Sequence, residues 1–157
     1  MQRAFDLLLR PALPLWKYTL LAAPLALFPS VILVGAPYLA AKAFGIESAL
    51  LRGSTSSAST ADAFGAVVFA PVVETLLLML TVRVLLMIAQ NPLYVAAISA
   101  TLWGAFHGLL SPIRFFGSAW SFFVFTCAIL AWRDKSPRHA FLSAAVPHAV
   151  INLVAIS

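Results

Sequence analysis

Five stretches of the chain carry almost no charge over the length of a membrane helix. Residues 18–41, 93–113, 115–132 and 140–156 contain no Asp, Glu, Lys or Arg, and residues 63–82 contain one, Glu74. A spanning helix needs about 20 mostly apolar residues. A membrane β-barrel needs segments of about 10 residues that alternate apolar and polar. These runs are continuously apolar, so the pattern predicts helices: an all-α, polytopic transmembrane bundle of about five helices, forming one domain over residues 18–157. Ahead of it, Phe5, Leu7, Leu8 and Leu9 are interleaved with Arg3, Asp6 and Arg10. That mixture predicts a short interfacial helix within residues 1–17, stopped by Pro11 and Pro14. Pro24, Pro29 and Pro37 predict kinks in the first span, and a tight turn at 112–117 is expected between the third and fourth.

Composition makes the membrane reading compulsory. Of 157 residues, 62% are hydrophobic and 10% charged, against roughly 25% charged in soluble domains. A small chain buries only a limited share of its surface, so no water-soluble core could hide this much apolar area. The lipid bilayer is therefore the first expected partner. The net charge of +5 adds an orientation. With the N-terminus in the cytoplasm, Arg3, Arg10, Lys17, Arg133, Lys135 and Arg138 fall on that side, and Lys42, Arg52 and Arg114 fall opposite. The bias predicts an N-in protein of the cytoplasmic membrane, with Arg83 snorkelling near the inner interface. The basic residues are scattered over short loops, which argues against nucleic acid as a partner. Cys127 is the single cysteine and forms no internal disulfide. The first apolar run is longer than the roughly 7–15 residues of a signal-peptide core. The stretch GSTSSASTAD, residues 53–62, is a polar linker or a lid over a site opening to that side.

Ionisable groups within spans are costly, at least about 2.5–3.5 kcal/mol for a mid-helix charge. They therefore mark candidate chemistry. Glu74 lies eleven residues into the second span, within APVVETLLLML. A desolvated carboxylate there suits a general base. His107 lies in the third span, one turn after Trp103. His148 and Asn152 lie in the fifth, and their i, i+4 spacing stacks them on one helical face. The asparagine can orient the imidazole or donate to an oxyanion. Three helices whose most polar residues face inward can bring all four together. Glu74, His107 and His148 also form a possible zinc set, since three protein ligands and a water suffice, although no H-E-x-x-H helix is present.

The order and spacing of these motifs resemble those of the CPBP (CAAX protease and bacteriocin-processing, or Abi) family of glutamate-type intramembrane proteases. The first motif here is E-T-L-L-L-M, Glu74 to Met79, against E-E-x-x-x-R. The second is W-G-A-F-H, Trp103 to His107, against F-x-x-x-H, and the third is H-A-V-I-N, His148 to Asn152. The likeness covers roughly residues 65–156, with Thr75 and Met79 in place of the second Glu and the Arg. It implies a metal-free intramembrane endopeptidase in which Glu74 activates water, His107 helps to hold or deprotonate it, and His148 and Asn152 stabilise the oxyanion. No cofactor is then expected, zinc being the alternative. The implied substrate is a membrane-associated protein or peptide, such as a prenylated C-terminal motif or a sorting tail. Two other classes stay open: a catalytically inactive scaffold or immunity-type protein on the same fold, and a proton or ion pathway. Five helices without an inverted repeat leave little room for alternating access.

Overall fold

A computed structural model describes residues 8–10, 12–45 and 60–157. The sequence expectations for residues 1–7 and for most of the 53–62 stretch lie outside the described residues. Thr60 to Asp62, expected in that linker, belong to a helix.

Among the described residues, five long helical units make the bundle. They are α1 (Leu15–Ala43); α2, built of Thr60–Phe64, a π-helical turn Gly65–Phe69 and Ala70–Ile88; α3 (Pro92–Gly108); α4 (Arg114–Trp132); and α5 (Pro137–Ile156). Four of them, α1, α2, α4 and α5, are long and apolar enough to cross a membrane. α3 has 17 residues, about 26 Å at 1.5 Å per residue, and ends earlier than its apolar run. The turn into α4 therefore occupies residues 109–113 rather than 112–117, and Gly117 is helical. The bounds of the other spans agree with the charge-free runs to within a few residues, except that α2 extends to Ile88. Helix starts follow local chemistry. Asn91 Oδ1 accepts from Leu93 N at 2.9 Å with Pro92 in the first turn, and Ser136 Oγ accepts from His139 N at 3.1 Å with Pro137 next. Both are cap-then-proline signatures.

α4 is the centre. Its apolar window is 61% buried, against 28% for α1 and 17% for α2, and it packs on α1, α2, α3 and α5. Leu20, Phe28, Ile32, Leu76 and Leu80 point outward from α1 and α2. A surface of large aliphatic side chains suits lipid and would be untenable in water. The chain is thus a membrane protein with an all-helical bundle fold.

Small residues allow the close approaches. A Cβ at Gly104 would lie 2.7 Å from Ala119 Cβ and 3.0 Å from Phe115 O, and one at Gly117 would lie 2.5 Å from Val34 Cγ2. Backbone contact of this kind is how membrane helices associate without a hydrophobic driving force. Buried hydroxyls reinforce it. Ser30 Oγ donates to Gly117 O at 2.8 Å and lies 2.8 Å from Ser121 Oγ, while Thr126 Oγ1 donates to Ser99 Oγ at 3.1 Å.

α1 runs through Pro24, Pro29 and Pro37 without a break. Each proline removes an N–H and so strands a carbonyl four residues back, which lipid cannot satisfy. For Pro29 that carbonyl is Leu25 O, and Trp120 Nε1 on α4 donates to it at 2.8 Å. The indole replaces the missing backbone bond. Trp120→Phe keeps the ring stacked on Phe123, 5.9 Å between centroids, and removes the donor. It is expected to lower stability by about 1–2 kcal/mol, measured as a reduced Tm of the detergent-solubilised protein.

Candidate active site

Glu74 emerges from α2 one turn past Pro71, His107 from the last turn of α3, and His148 from the middle of α5. The bundle brings all three together. Glu74 Oε2 lies 3.6 Å from His107 Nε2 and 3.7 Å from His148 Nε2. Both separations exceed a direct hydrogen bond and suit a shared water-sized oxygen between carboxylate and rings. Glu74 Oε2 and His148 Nδ1 are buried and have no hydrogen-bond partner among the described residues.

Ring orientation is set by neighbours. His107 Nδ1 lies 2.9 Å from Trp103 O. A carbonyl only accepts, so Nδ1 carries the hydrogen and the neutral ring presents its Nε2 lone pair to Glu74. Trp103 thereby contributes its backbone, and its indole stacks on Phe122 at 4.7 Å and 14°. Phe122 lies 5.1 Å from the His107 ring and 5.6 Å from that of His148, and Phe125 stacks on His148 at 5.0 Å and 26°. α4 thus supplies an aromatic bed under both imidazoles. Sequence reasoning passed over Phe122 and Phe125 because nothing distinguishes them from the ten other phenylalanines of a chain with 12. Their i, i+3 spacing was the available signal.

Asn152 shares a face with His148, and both line one cavity. Its side chain, however, does not orient the imidazole. Asn152 Nδ2 donates to Ala66 O in the π-turn of α2 at 2.8 Å. The reason lies in Pro71. Within the turn, Ala70 N donates to Gly65 O, five residues back. The next donor in that frame would serve Ala66 O, but residue 71 is proline and has no N–H. Asn152 supplies the hydrogen instead. Pro71 is fully buried three residues before Glu74, and sequence reasoning, which considered the effect of proline inside a span only for the first one, missed it.

Two cavities meet at the Glu74–His107 pair. A groove of about 300 Å³ open to the bundle exterior is bounded by Glu74, Leu77, Thr81, Leu102, Trp103 and Phe106. A second, of about 220 Å³, holds the polar groups Ser30, His107, Arg114, Ser118, Ser121 and His148. The walls of both are mainly apolar, and the second carries more polar groups than the first.

Thr75 and Met79, at the positions of the second Glu and the Arg in the resembling motif, turn into the core. Thr75 is buried, and Met79 packs against the apolar cluster. Space that an ion pair would need is thus filled by side chains that need none. Arg83 is exposed on the bundle surface. The third histidine, His139, lies apart from the site, its ring 5.7 Å from that of Trp132. Among the described residues, no group of three His, Cys, Asp or Glu has the geometry to hold a metal ion. Compared with family models, curated proteins and solved structures, the chain matches none of them.

Proposed function

We propose that this protein is a glutamate-type intramembrane endopeptidase of the CPBP kind that hydrolyses a peptide bond in a membrane-associated protein. The observation that carries the reading is the placement of Glu74 Oε2 between His107 Nε2 and His148 Nε2, at 3.6 and 3.7 Å. A carboxylate and two imidazoles rarely share an apolar bundle without a task, because each must be desolvated.

The chemistry follows from the donors and acceptors. A water between the three groups gives one hydrogen bond to Glu74 Oε2 and the other to the His107 Nε2 lone pair. Its oxygen lone pair is then directed at a carbonyl carbon reaching the site from the apolar groove. As the C–O bond forms, Glu74 takes the proton, and the former carbonyl oxygen becomes an oxyanion. His148, carrying hydrogen on Nε2, donates to that oxyanion in a site of low dielectric. Collapse breaks the C–N bond, and the proton held by Glu74 passes to the leaving amine. The groove walls, Leu77, Leu102, Trp103 and Phe106, favour an extended apolar segment such as a C-terminal anchor or a lipidated tail. Water would reach His107 and His148 past Arg114, Ser118 and Ser121, which line the second cavity with them. The charge bias orients the chain N-in in the cytoplasmic membrane.

One variant series tests this. A candidate tail-anchored substrate, co-expressed with wild type, His107→Ala and His148→Ala, should be cleaved by the wild type and at least about 10²-fold more slowly by each variant. Undiminished cleavage by both variants overturns the reading. Thr75 and Met79 in place of the second Glu and the Arg favour one rival, an inactive scaffold on the same fold, and that rival gains if the wild type itself cleaves nothing. Metal dependence is a separate question. The mechanism runs through no metal, so incubation of the purified protein with EDTA or 1,10-phenanthroline is expected to leave the rate unchanged. Loss of activity restored by Zn²⁺ would instead assign Glu74, His107 and His148 as ligands.

A further inference from the structure

We infer that Asn152 is a positioning residue: it holds the π-turn of α2 in place and so sets the face on which Glu74 meets the histidines. The inference rests on the Glu74 site proposed above, but not on which bond that site hydrolyses.

Pro71 is the starting point. In a regular α-helix its ring would clash with the carbonyl of Val67, and its nitrogen could donate to nothing. Widening the preceding turn relieves the clash, and residues Gly65–Phe69 are π-helical. A π-turn takes in one extra residue, so the helix beyond it is rotated by about 100° relative to an unbroken α-helix. Glu74 lies just beyond. The face on which its carboxylate emerges therefore depends on whether the turn is kept. The turn has a weak point, because Ala66 O loses its partner when residue 71 is proline. In a bilayer an unsatisfied carbonyl drives the backbone toward another arrangement. Asn152 Nδ2, at 2.8 Å, removes that drive.

The clamp also couples two distances. His148 and Asn152 stand one turn apart on α5, and α5 runs against α2 so that His148 meets Glu74 while Asn152 meets Ala66. One helix thus grips α2 at two points, eight residues apart on α2 and four on α5. The π-turn brings α2 into register with α5, and the amide bond locks it. Trp120 and Leu25 O form a similar repair at Pro29, but no ionisable residue follows it within the next two turns. Only at Pro71 does the repair stand next to the candidate base.

A substrate-free experiment decides the matter. The chain is purified in detergent with ¹⁵N-labelled histidine, and ring nitrogen signals of His107, His139 and His148 are followed by NMR. Glu74→Gln provides the reference for loss of the carboxylate and should move His107 and His148 while leaving His139 in place. Asn152→Leu, similar in shape but without the donor, is expected to move the same two signals in the same direction and to lower Tm by roughly 3–8 °C. Asn152→Ser, too short to reach Ala66, is read in the same way if the leucine variant does not fold. Pro71→Ala returns an N–H to residue 71, so the Tm loss from Asn152→Leu should shrink at least twofold in that background. If Asn152→Leu lowers Tm but leaves both rings at their wild-type positions, Asn152 is merely structural and the inference is wrong. If the Tm loss is the same with and without Pro71, the link to the orphaned carbonyl is wrong. If Glu74→Gln itself moves neither ring, the site proposed above fails as well, and the two failures are distinguished.

Discussion

Glu74→Gln is expected to abolish hydrolysis, with a loss of about 10²–10⁴-fold or more, while leaving the protein as stable as the wild type or more so. The two effects have opposite signs for one reason. The carboxylate is the only acidic group in the set, so its amide leaves no base strong enough to take the proton of an attacking water. The same carboxylate is a burden to the fold. It sits in an apolar helix, its Oε2 has no hydrogen-bond partner among the described residues, and a charge at that depth costs at least about 2.5–3.5 kcal/mol. Glutamine is nearly isosteric, uncharged, and its NH₂ can donate to the Nε2 lone pair of His107. Product formation by mass spectrometry and Tm in detergent are measured on the same preparation. An inactive variant with unchanged or raised Tm fits a base retained at the expense of stability. A Glu74→Gln variant that cleaves at wild-type rate removes the residue from the chemistry. One that is inactive only because it unfolds assigns Glu74 to packing.

The second large effect is expected at a residue with no polar side chain of its own. Gly104→Leu should lower stability by about 1–3 kcal/mol or more and reduce activity with it. Gly104 is where α3 and α4 touch, and a Cβ there would lie 2.7 Å from Ala119 Cβ, 3.0 Å from Phe115 O and 3.1 Å from Ala119 Cα. Two of those atoms are backbone, so no side-chain rotation makes room and the helices must move apart. Leucine is a better helix former than glycine by almost 1 kcal/mol, which offsets part of the cost but cannot restore the contact. His107 follows Gly104 by three residues on α3, and Trp103 precedes it. Separation of the helices would therefore lift both from Phe122 and lengthen the 3.6 Å approach of His107 to Glu74. Gly35, where an added Cβ meets nothing within 4 Å, is the control. Gly35→Ala should leave Tm unchanged or raise it slightly, through helix propensity alone. Thermal unfolding of both variants in detergent tests the contrast.

These two sites illustrate how legibility divides. Glu74, His107 and His148 were readable because a bilayer expels polar groups, and those that remain in apolar runs stand out one residue at a time. Gly104 was not, since glycine within a membrane helix reads alike whether it faces lipid or a neighbour. Asn152 was found for its spacing to His148, but its partner could not be named. Ala66 O becomes an acceptor only because Pro71 and a π-turn orphan it, and a helix from a distant part of the chain must supply the hydrogen.

What the linear chain determined by itself is the solvent and the element type. Continuous apolar runs of this length tolerate only helices in a bilayer, because every backbone group must be bonded within its own segment. The same rule explains the candidate residues, since a charge left in such a run must face other protein groups. Tertiary structure decided the rest: which helix is central, which carbonyls freed by proline are closed by Trp120 and Asn152, and that Glu74 Oε2 stands 3.6 and 3.7 Å from two imidazoles. Those depend on rotation about each helix axis and on contacts between residues up to 95 positions apart, as in Trp120 to Leu25. A hydrophobic run specifies neither, because lipid accepts every apolar face equally and only packing against other helices distinguishes them.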